Sequence, residues 1–190
     1  MAKLNLGCGQ NKEDGYINVD KYESFKPDLV WDLEVFPWPF EENLAEEILL
    51  NHCLEHLGAD TETFLGIMKE IYRVSAPNAL IRINVPHPRS YGFEGDPTHV
   101  RKINPEVMSL FSMANNRKFK ELGWPNTTLA TYLEIDLETT HVELRLTQYW
   151  MEKLQKGEMT NEEMNHAANT YFNVVDEIKF ELKAIKPWAL

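Results

Sequence analysis

An α/β architecture with a mostly parallel, doubly wound sheet is what these 190 residues predict. Short apolar runs alternate with longer amphipathic stretches. The runs end in glycine, aspartate, asparagine or proline, residues that stop strands. Strands separated by helical patterns pair in parallel, because a crossover helix returns the chain to the same edge.

Lys3–Leu6 reads as the first strand, ended by Gly7-Cys8-Gly9. Tyr16–Val19, Leu29–Leu33 and Glu46–Leu50 read as the next three. Asp60–Val74 is a helix with Phe64, Ile67, Met68 and Ile71 at helical spacing. Leu80–Val85 is a strand stopped by Pro86 and Pro88. Asn104–Leu122 reads as a helix with Pro105 in its first turn and Gly123 past its end. Thr131–Leu137 and His141–Thr147 alternate like strands, and Asn161–Tyr171 is a helix opened by the capping box Thr160 and Glu163. Glu177–Ile185 closes the chain as a strand with Ile178, Phe180, Leu182 and Ala184 on one face. A parallel crossover normally takes a dozen or more residues and a helix. The stretch from Gly9 to Asp20 has no room for one, so the first crossover is expected to be a loop or a single turn.

Length and apolar content suit one domain over residues 1–190 with a core of its own. Hydrophobic residues at 43% exclude a disordered chain. Two cysteines, Cys8 and Cys53, cannot build a disulfide framework and suggest a reducing, cytoplasmic setting. The first residues do not read as a signal peptide, and no apolar run is long enough to span a membrane. A net charge of −11 argues against broad electrostatic binding of nucleic acid.

Ligands of such sheets bind beyond the carboxyl ends of the strands, where strand order reverses. Gly7-Cys8-Gly9, Asp20, Asp32-Leu33, Asn51-His52 and Asn84–His87 fall there. The glycines allow close backbone approach and offer N–H donors, Asp20 can accept both hydroxyls of a ribose, and Asp32 can accept from an adenine amino group beside Leu33 and Trp31.

Several segments resemble class I S-adenosylmethionine-dependent methyltransferases. They are Leu4–Gly9, Ile17–Asp20, Asp32-Leu33 followed by Phe36–Phe40, His52–Leu57 and Tyr72–Asn78. The resemblance implies a seven-stranded Rossmann-like sheet with an antiparallel last strand. It implies a cofactor half over about 1–87 and an acceptor and lid half over about 88–190. It places Gly7, Cys8 and Gly9 under the methionine part of the cofactor, Asp20 at the ribose, Asp32 and Leu33 at the adenine, and Asn51 near the methionine end. Three features depart from the family pattern. Asn11 replaces a third glycine, Asn5 stands where an acidic residue is common, and the first helix is nearly missing.

Methyl transfer to an oxygen or nitrogen is the activity so implied, and a base helps if the acceptor is a hydroxyl. His87 is the first candidate, followed by His99 and His52. The Pro-Pro-aromatic motif of amino-group nucleic-acid enzymes is absent, Asn51–Leu54 standing in its place. With the charge, this points to a small or extended non-nucleic acceptor. His52, Glu55 and His56 also match an inverted zinc-protease signature. The segment follows a strand directly and shows no further ligand cluster, so no metal is assigned. Other readings are a non-catalytic module binding S-adenosylmethionine or its product and, further off, a nicotinamide-dependent oxidoreductase. Against the latter, residues 7–12 lack the third glycine and the helix of the dinucleotide fingerprint.

Overall fold

The computed structural model describes residues 1–187. Its seven strands are β1 (Ala2–Leu6), β2 (Ile17–Asp20), β3 (Leu29–Val30), β4 (Ala45–Asn51), β5 (Ser75–Pro86), β6 (Leu137–Leu146) and β7 (Val175–Ala184). The helices are α1 (Thr61–Val74), α2 (Tyr91–Glu94), α3 (Pro105–Ser109), α4 (Met113–Glu121), α5 (Leu129–Leu133), α6 (Gln148–Gln155) and α7 (Asn161–Thr170). They form one sheet in the order β3-β2-β1-β4-β5-β7-β6. The first five strands run parallel, and β7 lies antiparallel between β5 and β6. Order reverses between β1 and β4, which fixes the switch point.

The expected loop crossover from β1 to β2 is present, and two buried asparagines hold it. Asn5 donates to the Asn11 carbonyl and to Asn18 Oδ1, each at 2.9 Å. Asn18 Oδ1 also accepts from the Glu13 amide at 2.8 Å, and its Nδ2 donates to the carbonyls of Glu13 and Tyr16. These bonds satisfy backbone groups that a crossover helix would satisfy internally. Among the first four parallel connections, only that from β4 to β5 carries an α-helix. Asp60 caps that helix by accepting from the Thr63 amide, and Phe64, Ile67, Met68 and Ile71 are buried.

Register separates the two faces of the sheet. Leu4, Leu6, Ile48, Leu50, Ile81, Ile83, Phe180 and Leu182 are all at most 1% exposed and belong to the main core. The opposite face carries Lys3 next to Glu47, Leu49 next to Arg82, and Arg82 next to Glu181. Glu47 bridges Lys3 at 2.9 Å and also pairs with Arg82, which reaches Glu181 at 3.2 Å. Lys3, Arg82 and Glu181 side chains are more than 40% exposed, so this face meets water.

Four sequence expectations are corrected. Leu29–Leu33 is a strand only over Leu29–Val30, because Asp32–Val35 turns away with the Val35 amide bonded to Asp32 O. Asn104–Leu122 divides at Leu110–Ser112, where Ser112 caps α4. Thr131–Leu137 is not a strand. Ala130 and Leu133 are buried at helical spacing in α5, and Glu134 at φ +57 ends the turn before β6. The helix α6 was not expected. The capping box of α7 forms as read, Glu163 Oε2 accepting from the Thr160 amide at 2.8 Å.

Candidate functional site

The carboxyl ends of β1, β2 and β4 open on a cleft of about 430 Å3, ample for a nucleoside-sized ligand. Gly7 and Gly9 form its floor and both have positive φ. At Gly7 a Cβ would fall 2.2 Å from Cys53 Sγ, so no side chain fits there. At Gly9 a Cβ would meet nothing within 4 Å, so that backbone faces open space. Asp20 ends β2 with 7% exposure. Its Oδ2 accepts from the Gly9 amide at 2.8 Å and its Oδ1 from the Tyr22 amide at 2.9 Å. The carboxylate thereby ties the glycine loop to the neighbouring strand. An ionised carboxylate has about four acceptor positions, so two stay open toward the cleft. Trp31, Asp32 and Leu33 form the far wall, and Tyr22 and Phe25 add aromatic surface.

No family model and no curated protein matches the sequence. Solved structures do match the fold. A S-adenosylmethionine-dependent methyltransferase from Archaeoglobus fulgidus superposes with a TM-score of 0.63 at 21% identity, over 96% of this chain and 85% of the other. One from Methanosarcina mazei gives 0.53 at 13% identity, over 97% and 92%. A 16S rRNA (adenine(1408)-N(1))-methyltransferase variant from Catenulisporales acidiphilia gives 0.55 at 12% identity, over 99% and 87%. The strand order, the antiparallel β7 and these superpositions agree. The chain has the class I S-adenosylmethionine-dependent methyltransferase fold.

On that fold, seven of the residues read from the sequence line the cleft: Gly7, Gly9, Asp20, Trp31, Asp32, Leu33 and His52. Cys8 and Asn51 do not. Cys8 lies between two cleft-facing glycines and is buried, its Sγ 3.6 Å from the Gly9 carbonyl. Asn51 Oδ1 accepts from Asn84 Nδ2 across the β4–β5 register at 2.9 Å. Burial pushes the Cys8 thiol up, with Asp20 adding to it, and pushes the Cys53 thiol up further. Neither sulfur is a ready nucleophile. Sequence reasoning missed Lys21, Tyr22, Phe25 and Thr98 on the cleft wall, and named His56 and Leu57 there only as part of the His52–Leu57 resemblance. Lys21 and Tyr22 directly follow Asp20, which was the available signal. Thr98 arrives from a distant loop, and only the fold shows it.

A second cavity of about 440 Å3 adjoins the first, and His52 and His56 line both. His99, Glu55 and Glu177 complete much of its wall. The loop after β5 is drawn over it. The Val100 and Arg101 amides donate to the Glu55 carbonyl at 2.9 and 3.0 Å, and the Arg101 guanidinium holds the carbonyls of Gly58 and Asp60. These bonds latch the loop to the segment after β4. His52 adopts φ +50, uncommon for a residue with a side chain. Its Nε2 meets Glu177 Oε1 at 2.8 Å. Glu55, the main cause, and Glu177 raise its pKa above the ordinary value against the opposing effect of burial. His87 lines neither cavity, its Nδ1 accepting from the Arg89 amide at 3.1 Å. Among the described residues, no helix is long and apolar enough to cross a membrane.

Proposed function

We propose that this protein binds S-adenosylmethionine in the first cleft and catalyses methyl transfer to an oxygen or nitrogen of a non-nucleic acceptor held in the second. The observation that carries the reading is Asp20 at the carboxyl end of β2, pinned to the Gly7–Gly9 loop and facing a cleft walled by Trp31, Asp32 and Leu33. The residues fit the ligand. The open backbone at Gly9 leaves room for a close-lying chain, Asp20 keeps acceptor positions for ribose hydroxyls, and Asp32 serves the adenine amino group. The cofactor supplies a methyl group already activated on a sulfonium.

The protein's part is mainly to align an acceptor lone pair with the methyl–sulfur bond. Such positioning contributes about 7–11 kcal/mol in well-oriented reactions. His52 and His99 are placed to touch an acceptor in the second cavity, whereas His87 is not. The fold alone does not choose the acceptor, since one neighbour is an rRNA methyltransferase. The net charge of −11 supports the non-nucleic reading. The helix-free first crossover favours a second reading, a domain that binds the cofactor without turnover.

Thermal unfolding tests the ligand. S-adenosylhomocysteine at 100 times its Kd adds about 2.7 kcal/mol and raises Tm, while NAD leaves it unchanged. A shift with NAD and none with either sulfur nucleoside overturns both readings. Methyl-labelled S-adenosylmethionine incubated with a metabolite extract separates the two, because only an enzyme passes the label on.

A further inference from the structure

The carboxylate of Glu55 is 1% exposed, and neither of its oxygens has a hydrogen-bond partner. His52 Nδ1 stands 3.5 Å from Glu55 Oε1, close enough for charge attraction but not hydrogen-bonded. His52 therefore supplies one ion pair, and the buried carboxylate, with no hydrogen bond on either oxygen, keeps acceptor capacity for a further cation. The surroundings offer further ligands for one. A donor atom from each of Glu55, His56 and His99 lies within 4.8 Å of the other two.

The hydrogen bonds around the two imidazoles fix their tautomers. His99 Nδ1 lies 2.8 Å from the Phe93 carbonyl, which can only accept, so Nδ1 carries the proton. Thr98 Oγ1 donates to Asp96 Oδ1 at 2.6 Å and is therefore the acceptor for His56 Nδ1 at 3.0 Å. Each ring thus spends Nδ1–H on an outer partner and leaves Nε2 as the nitrogen available to a metal. That is the arrangement by which metal-bound histidines are oriented.

We propose that Glu55, His56 and His99 bind a divalent transition-metal ion of the Zn2+ or Mn2+ kind beside the cofactor cleft. Two imidazoles with one carboxylate suit Zn2+, a borderline ion, better than the harder Mn2+ or Mg2+. Donors bound at about 2.0–2.1 Å stand roughly 3.3 Å apart around a tetrahedral ion, so the three side chains need only close inward. Three protein ligands leave a position open to the second cavity for an oxygen donor such as a hydroxyl or carboxylate. On the methyl-transfer reading, that donor is the acceptor.

The ligand set differs from the one the sequence pattern suggested. Leu54–His56 is a single 3-10 turn, not an α-helix, and His52 pairs with Glu177 instead. The third ligand comes from the loop after β5, which has no fixed spacing to the others.

Calorimetric titration of the chelator-treated full chain tests the site without any acceptor or cofactor. Zn2+ should bind at one equivalent, Mn2+ more weakly in keeping with the usual order of affinities, and Mg2+ not measurably. Glu55→Gln and His99→Ala should each weaken Zn2+ binding at least tenfold, while His166→Ala leaves it unchanged. In the wild type, Zn2+ should shift the imidazole nitrogen resonances of His56 and His99 and spare those of His166, a readout that stands even if a variant misfolds. Absence of Zn2+ binding by the folded wild type, or shifts confined to other histidines, overturns the proposal. A metal-free protein that still binds S-adenosylhomocysteine would leave the cofactor reading intact, so the two failures are distinct.

Discussion

Asp20 holds two backbone amides, those of Gly9 and Tyr22, while two of its acceptor positions stay open to the cleft. Its removal therefore acts on the loop and on a ligand alike. Charge-assisted hydrogen bonds contribute about 1.5–3 kcal/mol each, and 1.4 kcal/mol is about tenfold in affinity. Asp20→Ala is expected to weaken S-adenosylhomocysteine binding by at least about tenfold in calorimetric titration. Asp14→Ala, exposed in the first crossover, is the matched control with little effect. The unliganded Tm of the two variants reads the loop's share separately.

His87 gives a prediction of a different kind. Burial, reinforced by Arg89 and opposed by Glu106, lowers its pKa below the ordinary 6.5. The unfolded chain then binds the proton more readily than the folded one, so protonation opposes folding. The penalty begins as pH falls through the unfolded value of about 6.5 and is complete below the folded value. Tm measured from pH 7.5 down to 5 should fall less in His87→Gln than in the wild type. Parallel curves would show that His87 titrates alike in both states.

At the scale of elements, the joint between the Leu54–His56 turn and α1 is held by a close backbone approach. Gly58 has φ +67, and a Cβ there would lie 2.6 Å from the Phe64 Cα. Gly123 has the same φ after α4 but nothing within 4 Å. Both alanine variants carry the left-handed backbone cost of about 1–2 kcal/mol. Only Gly58→Ala adds a clash with helix backbone. Urea unfolding should show a clearly larger loss for Gly58→Ala than for Gly123→Ala; equal losses would mean that α1 shifts freely.

The same scale shows what could be read in advance. β1, β7, α1 and α7 were legible because each carries a period together with a stop or cap, as in Thr160 with Glu163 and Ile178 through Ala184. The end of β2 at Asp20 was legible for the same reason. The α5 turn was not, because a five-residue helix shows too little period to outweigh the alternating pattern of Thr131–Leu137. Asn5 was noticed only as a departure from a pattern. Its role, bracing a helix-free crossover with Asn18, depends on pairing between two strands that no local period reveals. His99 belongs with Glu55 and His56 for equally nonlocal reasons, through backbone bonds from Val100 and Arg101 to Glu55.

Over the whole molecule, apolar burial is concentrated on one face of the sheet. Ile71, on α1, is fully buried, whereas Leu49 lies in the central strand β4 beside Asn5 and Arg82 on the wet face. Large-to-small core changes cost about 2–5 kcal/mol. Ile71→Ala should fall in that range, and Leu49→Ala should cost less than half as much, both read as shifts in urea midpoint at unchanged slope. Comparable losses would mean that the charged face carries as much packing as the covered one.

That wet face also bears on how this chain can change over generations. Positions in the middle of a parallel sheet are ordinarily among the least forgiving, since each is enclosed on both sides. Here Lys3, Arg82 and Glu181 side chains are more than 40% exposed and meet mainly water and one another's charges, so replacements there disturb little packing. The exposed bend at Gly15, where an added Cβ touches nothing, gives new residues an exit on the crossover from β1 to β2. The chain therefore has ground on which to accept insertions or acquire an attachment, while the cleft edge stays anchored by the opposite core.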